Sequence, residues 1–179
     1  NGEKSQTFEA AYSVKIPEAV YTPPANKEAA ATVDLTDKTD HFEMVLTPSM
    51  QDSVAAGQIV DYVASFQMKN GVKPHDLGLS EEGSEVWPDF AIQNVKYVFT
   101  LPEGMEATTL PHDADVYSYN QTTRELTLNF DDFTNNNLDK ALSLSFSAKM
   151  PDKQTVPGEY QITGKLYQGV KELIPLDTL

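Results

Sequence analysis

The sequence predicts an all-β fold, an antiparallel β-sandwich of about nine strands, on three observations. Apolar and polar residues alternate with period two along most of the chain, clusters of Pro, Asn, Asp and Gly separate the alternating runs, and no window of a dozen residues carries a helical stripe. Successive side chains of a strand point to opposite faces, so each such run describes a strand with one buried and one solvated face.

The clearest run near the start places Phe8, Ala10, Tyr12, Val14 and Ile16 on one face, and Pro17 ends it. Val60, Tyr62, Ala64, Phe66 and Met68 repeat the pattern, and Leu142, Leu144, Phe146, Ala148 and Met150 give a third case with Ser143, Ser145, Ser147 and Lys149 facing out. Shorter strands are expected over 42–46, 95–101, 116–119, 125–130 and 159–167, with a last one near Leu173. Residues 26–31 are expected to make a helical turn. Asn70-Gly71 closes a long strand with the residue pair that type I′ turns favour, and Asn120-Gln121-Thr122-Thr123 separates two short strands. Residues 71–89, polar and rich in turn residues, form a loop of the length that usually carries function.

The chain has 179 residues, enough for a sizeable core in one domain, 1–179. Thirteen Lys and Arg against 27 Asp and Glu give a formal net charge of -14, which repels phosphate backbones and anionic membrane surfaces. Nucleic acid is therefore excluded as a partner. No apolar run approaches the roughly 20 residues that cross a bilayer as a helix, so no direct membrane insertion is expected. The 40% of hydrophobic residues is too high for a disordered acidic chain. Without cysteine there are no disulfides, thiolate nucleophiles or thiolate metal sites. The first residues, Asn-Gly-Glu-Lys rather than Met, lead us to expect that an N-terminal piece such as a signal peptide has been removed, which favours export.

Five landmarks occur in order: AAGQIVDYVASFQMKN, NVKYVFTLPEGMEA, VYSYNQTTRELTLNF, KALSLSFSAKMP and PGEYQITGKLY. In this order and spacing, residues 56–168 resemble the repeated immunoglobulin-like domains of bacterial cell-surface proteins, such as Gram-positive adhesins, stalks and pilin-like proteins. The resemblance implies an immunoglobulin-like sandwich. It also implies a non-enzymatic, extracellular, cell-surface-associated structural or adhesive module, with a host or cell-surface protein or glycan and neighbouring domains of the same chain as partners. The LPEG within the second landmark is a strand end with turn chemistry: mid-chain, with no hydrophobic span and basic tail behind it, it is not a sorting signal. Phe99 stands where many relatives carry an acidic residue, loop 71–89 is longer than usual, and residues 1–50 lie outside the match. The latter are expected to add strands to the same sandwich.

Domains of this kind sometimes contain a Lys to Asn or Asp isopeptide bond, which requires a buried, neutral lysine. Lys15, Lys69, Lys149 and Lys165 fall on polar faces, and Lys96 also sits opposite the apolar set. No cofactor is expected beyond calcium in the acidic loops, where Asp113 and Asp115, or Asp131, Asp132, Asn135, Asn137 and Asp139, offer oxygen ligands without an EF-hand register. Catalytic signatures are missing, since His41, His75 and His112 stand in separate turns outside any metalloprotease, hydrolase or phosphate-loop motif. Asn120-Gln121-Thr122 fits a glycosylation sequon. The binding candidate is the only tryptophan, Trp87, with Pro88 and Phe90. An exposed Trp there would stack on a sugar or anchor a protein, making a carbohydrate-binding module with loop 71–89 the alternative function. The competing structural role for Trp87 is to fold back and cap the core.

Overall fold

A computed structural model describes residues 30–50, 54–152 and 160–175. The strongest period-two run becomes β3 (Ile59–Met68), with Val60, Tyr62, Ala64 and Phe66 buried and Asp61 and Val63 exposed. Along one side it pairs antiparallel with β2 (Phe42–Pro48), and along the other with β10 (Leu142–Lys149) over a continuous register from Ile59↔Lys149 to Phe66↔Leu142. Outside β10 lies β6 (Glu106–Thr109), giving the sheet order β2-β3-β10-β6.

The second sheet centres on β5 (Val95–Thr100), whose Val95, Tyr97 and Phe99 are fully buried. Its neighbours are β8 (Glu125–Asn129) and β11 (Thr163–Gln168), and β7 (Tyr117–Asn120) and β12 (Lys171–Pro175) close the order β12-β11-β5-β8-β7. All pairings in these two sheets are antiparallel. A third, small sheet joins β1 (Ala31–Thr32), β4 (Phe90–Ile92) and β9 (Phe133–Thr134), with β1 running parallel to β4. Short 3-10 turns at Thr39–His41, Ala114–Val116 and Asn135–Asn137 are the only helical elements among the described residues.

Aromatic rings knit the three sheets together. Phe99 of β5 lies 5.5 Å from Phe146 of β10, and Phe66 of β3 lies 6.4 Å from Phe130. The edge of Phe133 from β9 meets Phe42 at 6.1 Å and Phe66 at 5.7 Å. One cluster of buried residues therefore draws on every sheet. Full burial of each such ring contributes about 1.5–3 kcal/mol, and a well-placed aromatic pair about 0.5–1.5 kcal/mol more.

Several expectations need correction. Among the described residues twelve strands are present rather than about nine, because β1, β4, β6 and β9 span two to four residues, too few to display a period. Ala31, expected at the end of a helical turn, is in β1, where its N–H donates to the Asp89 carbonyl at 3.0 Å; residues 26–29 lie outside the described set. The turn at Asn70-Gly71 is not type I′: only Gly71 has positive φ, at 86°, whereas type I′ needs it at both central residues. Ser147, expected in solvent, is buried because β6 lies beside it, and its Oγ donates to Asp61 Oδ1 at 2.6 Å. The alternating run Phe8 to Ile16 and the first residue of the 159–167 run lie outside the described residues.

The strand end that carries LPEG closes as its chemistry predicts. Met105 N–H donates to the Pro102 carbonyl at 3.1 Å, with Gly104 at φ 79° in the third turn position. Proline precedes the central pair of this turn and does not set its φ.

Candidate functional site

The first half of loop 71–89 is anchored by its own turns and by two buried residues. Asp76 Oδ2 accepts the Lys73 N–H at 2.7 Å and Asp76 Oδ1 meets His75 Nε2 at 3.0 Å. Nested turns follow, the Pro74 carbonyl accepting from Leu77 N–H at 3.2 Å and from Leu79 N–H at 3.0 Å. Pro74 and Leu77 are buried, which seats this half of the loop against the body of the protein.

The second half leads to Trp87, which is half-buried and packs against the core with its ring 5.9 Å from Phe90 at 41°. Asn135 fixes the backbone beside it. Its Nδ2 donates to the Pro88 carbonyl at 2.8 Å, and its Oδ1 accepts the Phe90 N–H at 3.0 Å, so one amide completes both hydrogen-bonding groups of the strand entry. Phe90 is 1% exposed and lies under Trp87, where no ligand reaches it. Of the three residues singled out in the sequence, Trp87 and the half-buried Pro88 remain at the surface. Val86 beside them, 75% exposed, adds apolar area that the sequence reading passed over.

The lysines stay on outer faces. Lys149 pairs with Asp152 at 2.7 Å, Lys165 with Glu172 at 3.0 Å, and the Lys96 ammonium stands 5.4 Å over the Tyr167 ring. Glu172 raises the pKa of Lys165 by hydrogen bond and charge, the opposite of what a nucleophilic amine needs. Lys69 is half-buried, and Lys15 lies outside the described residues.

Some of the oxygens in the acidic loops cap the local backbone. Asp113 Oδ1 accepts the Asp115 N–H at 2.9 Å as a cap, and Asn137 Oδ1 accepts the Thr134 N–H at 2.9 Å in a capping box. Phe133, in the middle of the second acidic run, is fully buried in β9. Among the described residues no three His, Asp or Glu side chains gather as a metal site. His41 precedes β2, His75 is in loop 71–89, and His112 is exposed before the Ala114–Val116 turn. At the sequon, Asn120 Oδ1 accepts the N–H groups of Thr122 and Thr123 at 3.0 and 3.2 Å and shapes the β7–β8 turn.

An open cleft of about 710 Å³ lies elsewhere, between the β4–β5 turn, the end of β8 and the β11–β12 turn. Asn94, Lys96, Asn129, Asp131 and Asp132 give it a polar wall. The sequence contained no spacing that could reveal this group, since only the pairing of β5 with β8 and β11 gathers it.

The class these features define is, over the described residues, an all-β protein of mostly antiparallel sheets with a half-buried Trp87 at the end of loop 71–89 and a polar cleft. No family model matches the chain, and no curated protein matches it.

Proposed function

We propose that the chain is an immunoglobulin-like β-sandwich serving as a non-enzymatic, extracellular structural or adhesive module of a bacterial cell-surface protein. The observation that carries the reading is the placement of the landmarks. The glycine-led run becomes β3, LPEG becomes the turn after β5, the paired run becomes β7 and β8, and the last two become β10 and β11. The resemblance of residues 56–168 to the surface repeats implies strands and a strand-closing turn in this order. The two larger sheets also contribute to a single aromatic core, as the layers of a sandwich do. Function then lies in presentation and contact: long antiparallel ladders hold shape, and an acidic surface keeps neighbouring copies apart.

Solid-phase binding of the purified chain to a panel of extracellular-matrix proteins and glycans tests the adhesive part. Saturable binding without any change to the immobilised partner is expected. Consumption of the partner, seen as fragments by mass spectrometry, would replace the module with an enzyme.

The alternative, a carbohydrate-binding module built on loop 71–89, keeps one supporting feature, the surface formed by Val86, Trp87 and Pro88. Glycan binding lost in Trp87→Ala would favour it.

A further inference from the structure

We infer that the cleft between the β4–β5, β8–β9 and β11–β12 connections is a binding site for a neutral saccharide. It does not depend on Trp87 or on the cell-surface reading. The volume of about 710 Å³ falls in the range that accommodates small ligands, and the shape is an open groove. An open groove suits an extended oligosaccharide that passes through.

The wall chemistry selects the ligand. Asn94 and Asn129 offer amides that both donate and accept, Asp131 and Asp132 offer acceptors, and Lys96 offers three donors. Among the described residues little of this hydrogen-bonding capacity is used, although the Lys96 ammonium also stands 5.4 Å over the Tyr167 ring. Asp132 Oδ2 takes one bond from Gln93 Nε2 at 2.9 Å, and Asn129 Nδ2 makes one long contact of 3.5 Å to the Asp115 carbonyl. The ion pairs among the described residues involve none of Lys96, Asp131 and Asp132. Adjacent hydroxyls of a sugar can donate to a carboxylate while accepting from the ammonium or an amide, which satisfies both kinds of group at once.

Other ligand classes fit less well. Two carboxylates against one ammonium, within a chain of net charge -14, repel phosphates and acidic sugars. An apolar ligand would strand the polar wall without partners. A cationic ligand is drawn by the two carboxylates but leaves the Lys96 ammonium and the amide donors of Asn94 and Asn129 without partners.

The cleft is also held in shape. Gly169 N–H donates to the Asn94 carbonyl at 2.9 Å, and Phe130 N–H donates to the Val95 carbonyl at 2.9 Å, tying all three connections together. Asn94 itself sits at φ 59°, a conformation that glycine tolerates better. Asn94→Gly therefore removes the amide without opposing the backbone.

The test is a two-dimensional ¹⁵N NMR titration of the full chain with cellobiose, maltose, lactose and diacetylchitobiose, with sialyllactose and a lysine-rich peptide as charged comparisons. Saturable shifts at Asn94, Lys96, Asn129, Asp131 and Gly169 are expected with at least one neutral disaccharide. Asn94→Gly and Asp131→Ala should each weaken that binding about tenfold, the loss of roughly one charge-assisted or well-formed hydrogen bond, with the rest of the spectrum unchanged. Trp87→Ala should leave it intact. Absence of saturable shifts from all four disaccharides at tens of millimolar overturns the inference. So do shifts centred on Trp87, or a preference for the peptide or the acidic sugar.

Discussion

Gln168, at the end of β11, makes a sharp stability prediction. Its Oε1 accepts the Leu35 N–H at 2.8 Å, and its Nε2 donates to the carbonyls of Val33 at 2.9 Å and Gln93 at 3.3 Å. Val33 N–H donates to the Ala91 carbonyl at 3.0 Å, so the amide continues this ladder, bridging segment 33–35 to Gln93 where direct pairing with β4 ends. Gln168→Met keeps the length and removes every bond. Leu35, 1% exposed, is then left with an unpaired N–H, costing about 1–3 kcal/mol, and the two carbonyls lose about 0.5–1 kcal/mol between them. We expect a loss of about 1.5–4 kcal/mol in urea unfolding followed by Trp87 fluorescence, with the Leu35 amide among the first to gain hydrogen-exchange rate. Gln168→Glu should be no better, because its carboxylate faces two carbonyl oxygens. Gln67→Met, which breaks a single bond to Glu43 at 3.0 Å, serves as comparison at about 1 kcal/mol or less. If Gln168→Met costs no more than Gln67→Met, the clamp does not hold the N-terminal segment and the reasoning is refuted.

Four further outcomes follow from named contacts. Tyr97 is fully buried and its hydroxyl has no partner among the described residues, so Tyr97→Phe should leave stability unchanged or raise it by up to about 1 kcal/mol in thermal melts. Burial also raises the Tyr97 pKa above its ordinary 10.0. The unfolded chain therefore releases this proton first, stability falls as pH rises beyond about 10 by up to about 1.4 kcal/mol per pH unit, and Tyr97→Phe should flatten that fall. Asn135→Ala deprives Pro88 and Phe90 of their partner; a loss of about 1–3 kcal/mol and a red-shifted Trp87 emission are expected, and an unmoved spectrum counts against the clamp. Gly104→Ala places a Cβ 3.1 Å from Pro151 Cγ at φ 79° and should cost about 1–2 kcal/mol in urea unfolding. Calcium or a chelator should leave the melting temperature unchanged, because among the described residues no three acidic or histidine side chains gather around one point; a rise with calcium would contradict this.

Where a strand is long and half-buried, as β3 and β5 are, the period-two pattern located it to within a residue or two, because burial on one face leaves a mark on every second position. The two-residue β1 and β9 leave no such mark, since β1 finds its parallel partner only through the position of β4, far along the chain. Ser147 reads as solvent-facing until β6 is placed beside β10. Trp87 was recognisable as unusual, but its seat on Phe90 and the role of Asn135 depend on β9 lying against β4, which no local signal announces. Likewise Lys96 and Asp131 each stood out for other chemistry, and pairing of distant strands is what brings them to one cleft.

The central claim, a surface-exposed module, is tested most directly by antibody labelling of intact, unpermeabilised cells that make the protein. The account predicts labelling of intact cells that permeabilisation does not increase, and that brief external protease treatment removes. Labelling seen only after the cells are opened contradicts it.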